Sequence, residues 1–353
     1  MTKIFLRDRT TIGVGGPARR FEEATTDLHV EQLCREAREQ HERVLILGGG
    51  SNLVVADAGV DACVIAMATR GIEQRIDGDS VELDVAAGEP WDAFVERTVN
   101  DGLCGLECLS GIPGLVGATP IQNVGAYGQE AGDRIVSVHL LDRRDGSRVM
   151  KPSAWCEFGY RDSVLKRHPD DFVVLGVTFR LRRGSVDEPR YGELREALRQ
   201  DGERWRGEQG QRVIRDKVIE LRARKGMVLN PNDPDSKSAG SFFMNPIVPV
   251  EQARTVELRA RELGALRDGE KMPEFAASEG FVKLAAGWLI ERAGFQRGMR
   301  RGQAAISSRH ALALVNLGGA TAREIMLLAA EIQRGVLDRF GVALEPEPVR
   351  VGF

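Results

Sequence analysis

The sequence predicts an α+β fold in which short strands and amphipathic helices follow one another. Val44–Leu47 and Phe172–Val177 are short apolar runs of the kind that form buried strands. Residues 28–40 and 89–100 carry apolar side chains at the spacing of one helix face. At 353 residues the chain is long for a single hydrophobic core, so we expect more than one domain.

The first predicted domain, residues 1–69, is a small unit with one helix. The helix over 28–40 is followed by strands at Val44–Leu47 and Cys63–Ala66. We expect the C-terminal residues 341–353 to return to this domain.

The second predicted domain, residues 70–220, contains three strands and a helix. The strands lie at Ser80–Ala86, Ile135–Asp142 and Phe172–Arg182, and the helix lies at Glu89–Asn100. The helix is expected to end before Gly102, because glycine commonly terminates helices.

The third predicted domain covers residues 221–340. A helix at Val213–Arg224 precedes it, and the polar segment 229–240 is a loop near its start. Beyond that loop, the sequence predicts a helix at Phe281–Ala293, a strand at Ala304–Asn316 and a helix at 322–340. Thr321 and Glu324 have the spacing of a capping box at the start of the last helix.

Composition excludes several classes of function. The formal net charge of −3 argues against a protein built to hold nucleic acid. No apolar run approaches the ~20 residues that span a bilayer, and the first residues have no apolar secretory segment. Five cysteines without a C-x-x-C, and five scattered histidines, favour reduced thiols and no metal site. We therefore expect a cytoplasmic protein with neither nucleic-acid nor membrane partners. We also expect it to be a monomer.

The segment LILGGGSNLVVAD, residues 45–57, contains a glycine triplet that matches neither G-x-G-x-x-G nor the P-loop. The N–H groups of such a turn can form an anion-binding nest without a lysine. Ser51 and Asn52 can add side-chain donors. A tight turn between strands explains the same residues equally well.

A second glycine-rich segment, residues 105–130, carries few charges. Its composition favours close backbone contact with a large, flat, mostly apolar ligand that is fixed by a few polar groups. A tight meander packed on itself is the alternative.

Three further segments are ambiguous when taken singly. Arg161 in GYRDS has the surroundings of a surface ion pair. Ser241 in SAGSFFMNP lacks the G-x-S-x-G context of a hydrolase nucleophile and can simply cap a turn. Glu347 and Arg350 lie in the extended tail segment LEPEPVR, which a solvated tail also explains.

Taken together and in order, these segments resemble the UDP-N-acetylenolpyruvoylglucosamine reductase family. The matching segments are TTIGVGGPA, LILGGGSNLVV, GIPGLVGATPIQNVGAYGQE, YRDS, AGSFFMNP, KLAAGWLIE, HALALVN and LEPE. RYGEL, residues 190–194, resembles the subgroup with a tyrosine-bearing substrate loop. The resemblance implies a PCMH/vanillyl-alcohol-oxidase-type FAD-binding fold of two α+β subdomains, followed by a third α+β domain that binds substrate.

The resemblance also implies non-covalent FAD as cofactor and NADPH as co-substrate. NADPH would reduce the flavin, and the reduced flavin would then reduce the enolpyruvyl group of a UDP-sugar. The residues implied to hold FAD are Gly48, Gly49, Gly50, Ser51, Asn52, Ser110, Gly111, Gly114, Gly117, Ala118, Ile121, Asn123, Gly125 and Arg350.

By the same resemblance, three residues carry the chemistry. Arg161 and Glu347 would hold and polarise the substrate carboxylate, and Ser241 would donate a proton to C2. The residues implied to bind substrate are Tyr191, Lys225, Asn245 and His310. The chain departs from the family pattern in a longer segment between Lys225 and Ser241, in Met244, and in the extra Pro348.

Two other interpretations remain open at the level of sequence. One is a flavin oxidase of the same fold, many members of which attach flavin covalently through His or Cys; Cys104 and Cys108 lie near the glycine-rich segment. The other is a flavin- or nucleotide-binding module without catalysis, in which Arg161, Ser241 and Glu347 would be replaceable.

Overall fold

The computed structural model describes residues 3–200, 202–207, 209–267 and 269–353. The chain forms two compact units, each assembled from separate segments. One comprises Met1–Pro17, Gly50–Val60 and Lys225–Phe353, and the other comprises Ala18–Gly49 and Asp61–Arg224. We call them the terminal unit and the central unit. The three-domain division drawn from the sequence stays a prediction.

Two sheets form the framework of the central unit. In the smaller one, Val60–Met67 lies between Ala18–Ala24 and Val44–Leu47, and Val44–Leu47 pairs in parallel with Cys63–Ala66. In the larger one the strand order is Arg148–Pro152, Ile135–Asp142, Phe172–Arg183, Ser80–Ala86 and Ile72–Asp77. Its neighbours are antiparallel, and Leu103–Cys104 pairs with the end of Phe172–Arg183.

The strand Phe172–Arg183 is central in the larger sheet, as its apolar sequence predicts. Residues 173–179 are all buried. On one side, Phe179 contacts Trp91 and Phe94, with ring centroids 5.9 and 5.2 Å apart. Those two aromatic residues belong to the helix Trp91–Asn100, so the predicted helix face is a core face.

Within the described residues, the central unit has three further helices of nine or more residues. They are Asp27–Glu39, Gly192–Gln200 and Gly210–Arg224. The Thr26 side chain caps the first by accepting a hydrogen bond from the N–H of His29 at 3.2 Å. The other two pack through Leu194, Leu198, Ile214 and Val218 around Trp205.

Among the residues that the structure describes, the terminal unit contains three α-helices and three small sheets. The helices are Val250–Glu262, Ala286–Arg292 and Ala322–Phe340. The sheets are Leu53–Val55 with Val349–Val351; Ile247–Pro249, Phe281–Leu284 and Glu274–Ala276; and Arg300–Arg301, Ala304–Ile306 and Leu314–Asn316. Short 3₁₀ turns connect several of the elements in both units.

The helix Ala322–Phe340 confirms the predicted capping box. The Thr321 hydroxyl accepts from the N–H of Glu324 at 3.1 Å, and the Glu324 carboxylate accepts from the N–H of Thr321 at 2.8 Å. The Asp57 carboxylate accepts from the next two N–H groups, those of Ala322 and Arg323. The N–H groups at the start of this helix, which have no partner within the helix, therefore all have side-chain acceptors.

The predicted helix at Phe281–Ala293 is wrong in its first half. Phe281–Leu284 is the central strand of a three-stranded sheet, and only Ala286–Arg292 is helical. The apolar spacing suits either structure, and pairing with strands on both sides decides for the strand.

The predicted strand Ala304–Asn316 is interrupted. It consists of Ala304–Ile306 and Leu314–Asn316, which pair with each other. The Ser307 hydroxyl accepts from the N–H groups of Arg309 and His310 and holds the connecting turn. A side chain that bonds its own backbone a few residues on favours a turn over a continuous strand.

Candidate active site

The glycine triplet follows the strand Val44–Leu47 and packs directly on the second glycine-rich segment. A Cβ atom on Gly49 would lie 2.7 Å from the Cα of Gly114, and one on Gly48 would lie 3.9 Å from the Cβ of Ala118. The first distance is too short for any side chain, so the two backbones touch. The two segments that the sequence selects separately thus form one bare main-chain surface in the central unit.

Gly50, the last glycine of the triplet, belongs to the terminal unit. Its φ is +62°, and a Cβ there would lie 2.0 Å from the carbonyl oxygen of Arg9. Its own carbonyl accepts from the N–H of Thr11 at 3.1 Å. The turn therefore requires glycine here for both conformation and space.

An ion pair fixes the start of the second glycine-rich segment. The N–H of Gly111 donates to the Asp92 carboxylate at 2.6 Å, and Arg215 contacts both oxygens of that carboxylate at 2.6 and 3.1 Å. Burial alone would raise the pKa of Asp92, but the hydrogen bonds from Arg215 and Gly111 outweigh it and lower that pKa. Asp92 is therefore an ionised anchor for the Gly111 amide.

The remaining predicted cofactor residues of this segment differ in their hydrogen bonds and in their exposure to solvent. The buried Ser110 hydroxyl donates to the Glu107 carbonyl at 2.7 Å, so it already serves the local turn. Gly117 is bonded through its N–H to the Ala87 carbonyl, and a Cβ on it would lie 2.6 Å from the Ala87 Cβ. Ile121, in contrast, is 38% exposed.

Asn123 ties the end of this segment to the turn that carries Arg161. Its φ is +45° and it is buried. Its amide nitrogen donates to Glu130 Oε2 at 2.6 Å and to the Gly159 carbonyl at 3.0 Å, and its oxygen accepts from the N–H of Gly132 at 2.9 Å. Asn123 therefore connects the end of the glycine-rich segment, Gly132 and the turn at Gly159 through its side-chain hydrogen bonds.

Arg161 lies in the hairpin turn 159–162 and has φ +56°. Its guanidinium Nη2 donates to the Gly125 carbonyl at 2.7 Å, within the glycine-rich segment. The sequence alone is also consistent with Arg161 in a surface ion pair. In the structure, Arg161 is half-buried against the predicted cofactor loop.

Ser241 and Glu347, more than one hundred residues apart in sequence, lie on paired segments of the terminal unit. Phe243 forms an antiparallel bridge with Pro346, and the N–H of Glu347 donates to the Phe242 carbonyl at 2.9 Å. Phe242 and Phe243 are both 1% exposed and fix this pairing in the core.

Asn52, which follows the glycine triplet and Ser51, is bonded to the segment that carries Glu347. Asn52 Nδ2 lies 3.4 Å from the Glu347 carbonyl, and the Asn52 carbonyl accepts from the N–H of Val349 at 2.9 Å. The strand Val349–Val351 then pairs in parallel with Leu53–Val55, with Arg350 opposite Val54 and exposed. The terminal unit therefore brings together Asn52, Ser241 and Glu347.

The predicted substrate residues have mixed surroundings. The Asn245 side-chain oxygen accepts from the N–H of Ala286 at 2.9 Å and so caps a helix. The His310 N–H donates to Ser307, and Lys225 is half-buried directly after the helix Gly210–Arg224. The Tyr191 ring packs edge-on against Tyr127, with centroids 5.4 Å apart, and burial raises the pKa of Tyr191.

Asp235, which the sequence did not single out, locks the loop before Ser241. Its carboxylate accepts from the Ser308 N–H at 3.0 Å, the Ser308 hydroxyl at 2.5 Å and Arg309 Nε at 3.0 Å. Burial alone would raise the pKa of Asp235, but these hydrogen bonds outweigh it and lower that pKa. The pattern D-P-D-S is a turn signal, but no local signal links it to residues more than seventy positions away.

Two family models match the chain. Residues 232–351 match the C-terminal domain of UDP-N-acetylenolpyruvoylglucosamine reductase, and residues 18–150 match an FAD binding domain. The reductase of Streptomyces coelicolor is 48% identical over 97% of this chain and 88% of its own length. The reductase of Saccharopolyspora erythraea is 49% identical over 97% of this chain and 93% of its own.

The chain belongs to the UDP-N-acetylenolpyruvoylglucosamine reductase family.

A solved structure of that family supports the same conclusion. The crystal structure of the reductase from Thermus caldophilus superposes with a TM-score of 0.65 at 27% identity, covering 99% of this chain and 98% of that chain. The predicted α+β FAD-binding fold with a further α+β domain is confirmed.

The glycine-rich surface of the central unit is compatible with FAD, the cofactor of this family. Gly49 and Gly114 touch through their backbones, so no side chain lies between them. Main-chain amide donors of a glycine-rich turn suit a diphosphate. Across residues 3–200, 202–207, 209–267 and 269–353, no group of three or more His, Cys, Asp or Glu side chains is arranged to hold a metal ion.

Two other observations bear on the class of protein. All five cysteines are unpaired, and four of them are buried. In the described part of the chain, no helix combines the length and apolarity needed to cross a membrane.

We predict that Gly49→Ala lowers the affinity for FAD, because the new methyl group must displace the Gly114 backbone by several tenths of an ångström or more. Fluorescence titration of the apoprotein with FAD measures this. Gly207→Ala is the matched control, because a Cβ there meets no atom closer than 3.5 Å. Equal affinity in both variants would contradict the close packing of the two segments.

We predict that Asp235→Asn destabilises the protein near neutral pH by about 1–3 kcal/mol, through loss of charge-assisted hydrogen bonds. Because the folded pKa is lowered, the stabilisation is present above the unfolded value of about 3.9 and is lost as pH falls through the folded value. The gap in urea midpoint between the two proteins should therefore shrink in acid. Asp61→Asn, whose ion pair with Arg19 is exposed, should change little at either pH.

Proposed function

We propose that this protein reduces UDP-N-acetylglucosamine enolpyruvate to UDP-N-acetylmuramate, a step of peptidoglycan precursor synthesis, with FAD as cofactor and NADPH as reductant. The observation that carries the proposal is the main-chain pairing of Phe242, next to Ser241, with Glu347, and the bond from Asn52 to the Glu347 backbone, in a chain of this reductase family. Three remote segments, which carry a serine, a carboxyl group and an amide, thus lie side by side in one unit.

Gly48–Asn52 and the segment from Ser110 to Gly125 would hold the FAD, with Arg350 nearby on its strand. When bound, FAD supplies the hydride chemistry, taking a hydride from NADPH and delivering it to the vinyl carbon. The protein's own part is to orient the substrate, to stabilise developing negative charge and to deliver one proton.

Arg161 and Glu347 are the proposed contacts to the substrate carboxylate. Hydride addition at the vinyl carbon pushes electrons toward that carboxylate, and a guanidinium stabilises the charge as it forms. Ser241 is the proposed proton donor to the adjacent carbon. A serine hydroxyl is a weak acid, but it suffices for a strongly basic carbon and needs a nearby group to restore its proton.

Tyr191, Lys225, Asn245 and His310 are the proposed substrate contacts. The Asn245 oxygen already accepts from Ala286, which leaves its amide hydrogens for a ligand. We also propose that the protein acts as a cytoplasmic monomer on a small nucleotide sugar, and that the FAD-binding part consists of subdomains 1–69 and 70–220.

Non-covalent FAD is favoured over a covalent link. Burial raises the pKa of the Cys104 thiol to about 11 and raises that of Cys108 further. A protonated, buried thiol is a poor nucleophile. Acid denaturation should therefore release the flavin into solution, whereas flavin that stays with the chain would favour the covalent oxidases.

The function is tested by following the flavin absorbance of the purified protein without oxygen. NADPH should bleach the yellow colour, and the enolpyruvyl nucleotide should restore it. A preparation that stays colourless with added FAD would remove the proposal, as would bleaching that the nucleotide does not reverse.

We predict that Ser241→Ala leaves the bleaching step unchanged and slows the recolouring step about a hundredfold or more, the usual contribution of a positioned acid. Stopped-flow absorbance separates the two steps. Ser185→Ala, an exposed serine, is the control and should match the parent in both. Recolouring at the parent rate would show that Ser241 is not the proton donor.

A further inference from the structure

The backbone of Arg161 is in a conformation that a residue with a side chain rarely adopts. Its φ is +56°, in the left-handed region that favours glycine. It lies in the tight turn between Gly159 and Asp162, whose backbones exchange hydrogen bonds of 3.0 and 3.3 Å. Such a conformation persists only where the surroundings hold it.

Lys166, five residues later in the sequence, holds the backbone of Arg161 in this conformation. The Lys166 ammonium donates to the Arg161 carbonyl oxygen at 2.7 Å. A charged donor makes this hydrogen bond stronger than one between neutral groups. Lys166 is half-buried, so the bond is partly shielded from water.

The position of Lys166 is itself fixed by the chain between them. The Ser163 hydroxyl accepts from the N–H of Lys166 at 3.2 Å and so starts the short helix Val164–Arg167. The same hydroxyl donates to the Ile121 carbonyl at 2.5 Å, which attaches the helix start to the glycine-rich segment. The lysine therefore reaches the Arg161 carbonyl from a base anchored on the predicted cofactor loop.

Other contacts hold the rest of the turn without Lys166. Asn123 Nδ2 donates to the Gly159 carbonyl, and Arg167 forms ion pairs with Asp162 and Glu157. Removing the lysine should thus release the Arg161 peptide and leave the turn folded. The effect would fall on the direction of the Arg161 side chain, whose guanidinium now lies 2.7 Å from the Gly125 carbonyl.

We propose that Lys166 is a positioning residue that sets the aim of Arg161 by holding its backbone carbonyl. The inference rests on the proposed function, in which Arg161 contacts the substrate carboxylate. A catalytic group that is displaced by a fraction of an ångström loses much of its effect, because charge stabilisation depends on fixed geometry. In this role Lys166 acts through Arg161 and not on the substrate directly.

The test compares Lys166→Met, Lys166→Arg, Arg161→Lys and the double variant Lys166→Met/Arg161→Lys, each as FAD-loaded protein. Lys166→Met should slow recolouring by the enolpyruvyl nucleotide about tenfold, the loss expected for one charged hydrogen bond, and leave bleaching by NADPH and FAD affinity unchanged. Lys166→Arg keeps a charged donor and should recover most of the rate. The double variant should be no slower than Arg161→Lys, because the lysine acts through the arginine.

Each alternative result has one meaning. If Arg161→Lys slows recolouring but Lys166→Met does not, the positioning role is wrong and the proposed function stands. If Lys166→Met and Lys166→Arg both lose FAD or impair both steps equally, the lysine is merely structural and the inference is wrong. If Arg161→Lys also recolours normally, the proposed role of Arg161 fails. Lys271→Met, an exposed lysine, controls for the loss of a positive charge.

Discussion

The terminal unit depends on the main-chain pairing of the segment after Ser241 with the segment before Val349. Two hydrogen bonds, from the Glu347 N–H to Phe242 and from the Met244 N–H to Glu345, close this pairing. The buried phenylalanines Phe242 and Phe243 make it part of the core, so the serine is fixed by packing rather than by a flexible loop. A proton donor as weak as serine needs such a fixed position to be effective.

The central unit uses a different constraint, which is the close approach of two backbones. Gly49 and Gly114 leave no room for side chains where the two backbones touch. Ionised and polar side chains also fix the second glycine-rich segment and the 159–162 turn: Asp92 accepts from Gly111, Asn123 donates to Gly159, and Lys166 donates to Arg161. Asp92 and Lys166 therefore stabilise these segments without belonging to the residues proposed to contact a ligand.

Several structural predictions depended on local chemistry and were confirmed. The apolar run at Phe172–Val177, the amphipathic helix beginning near residue 28 and the capping box at Thr321 follow from side chains within a few positions. The helix predicted from Phe281 failed because its first residues pair with two strands from elsewhere in the chain. Local spacing contains no information about such partners.

Residue type and order were enough to predict the fold class, the family resemblance and the two glycine-rich segments, because all three depend on local pattern. Folding was needed to bring remote residues together: Glu347 with Phe242 and Asn52, Gly49 with Gly114, and Asp235 with Ser308. It also decided that Lys166 reaches the Arg161 carbonyl, which requires a left-handed turn. The physical reason is that long-range contacts and backbone handedness arise from packing, and no single segment specifies them.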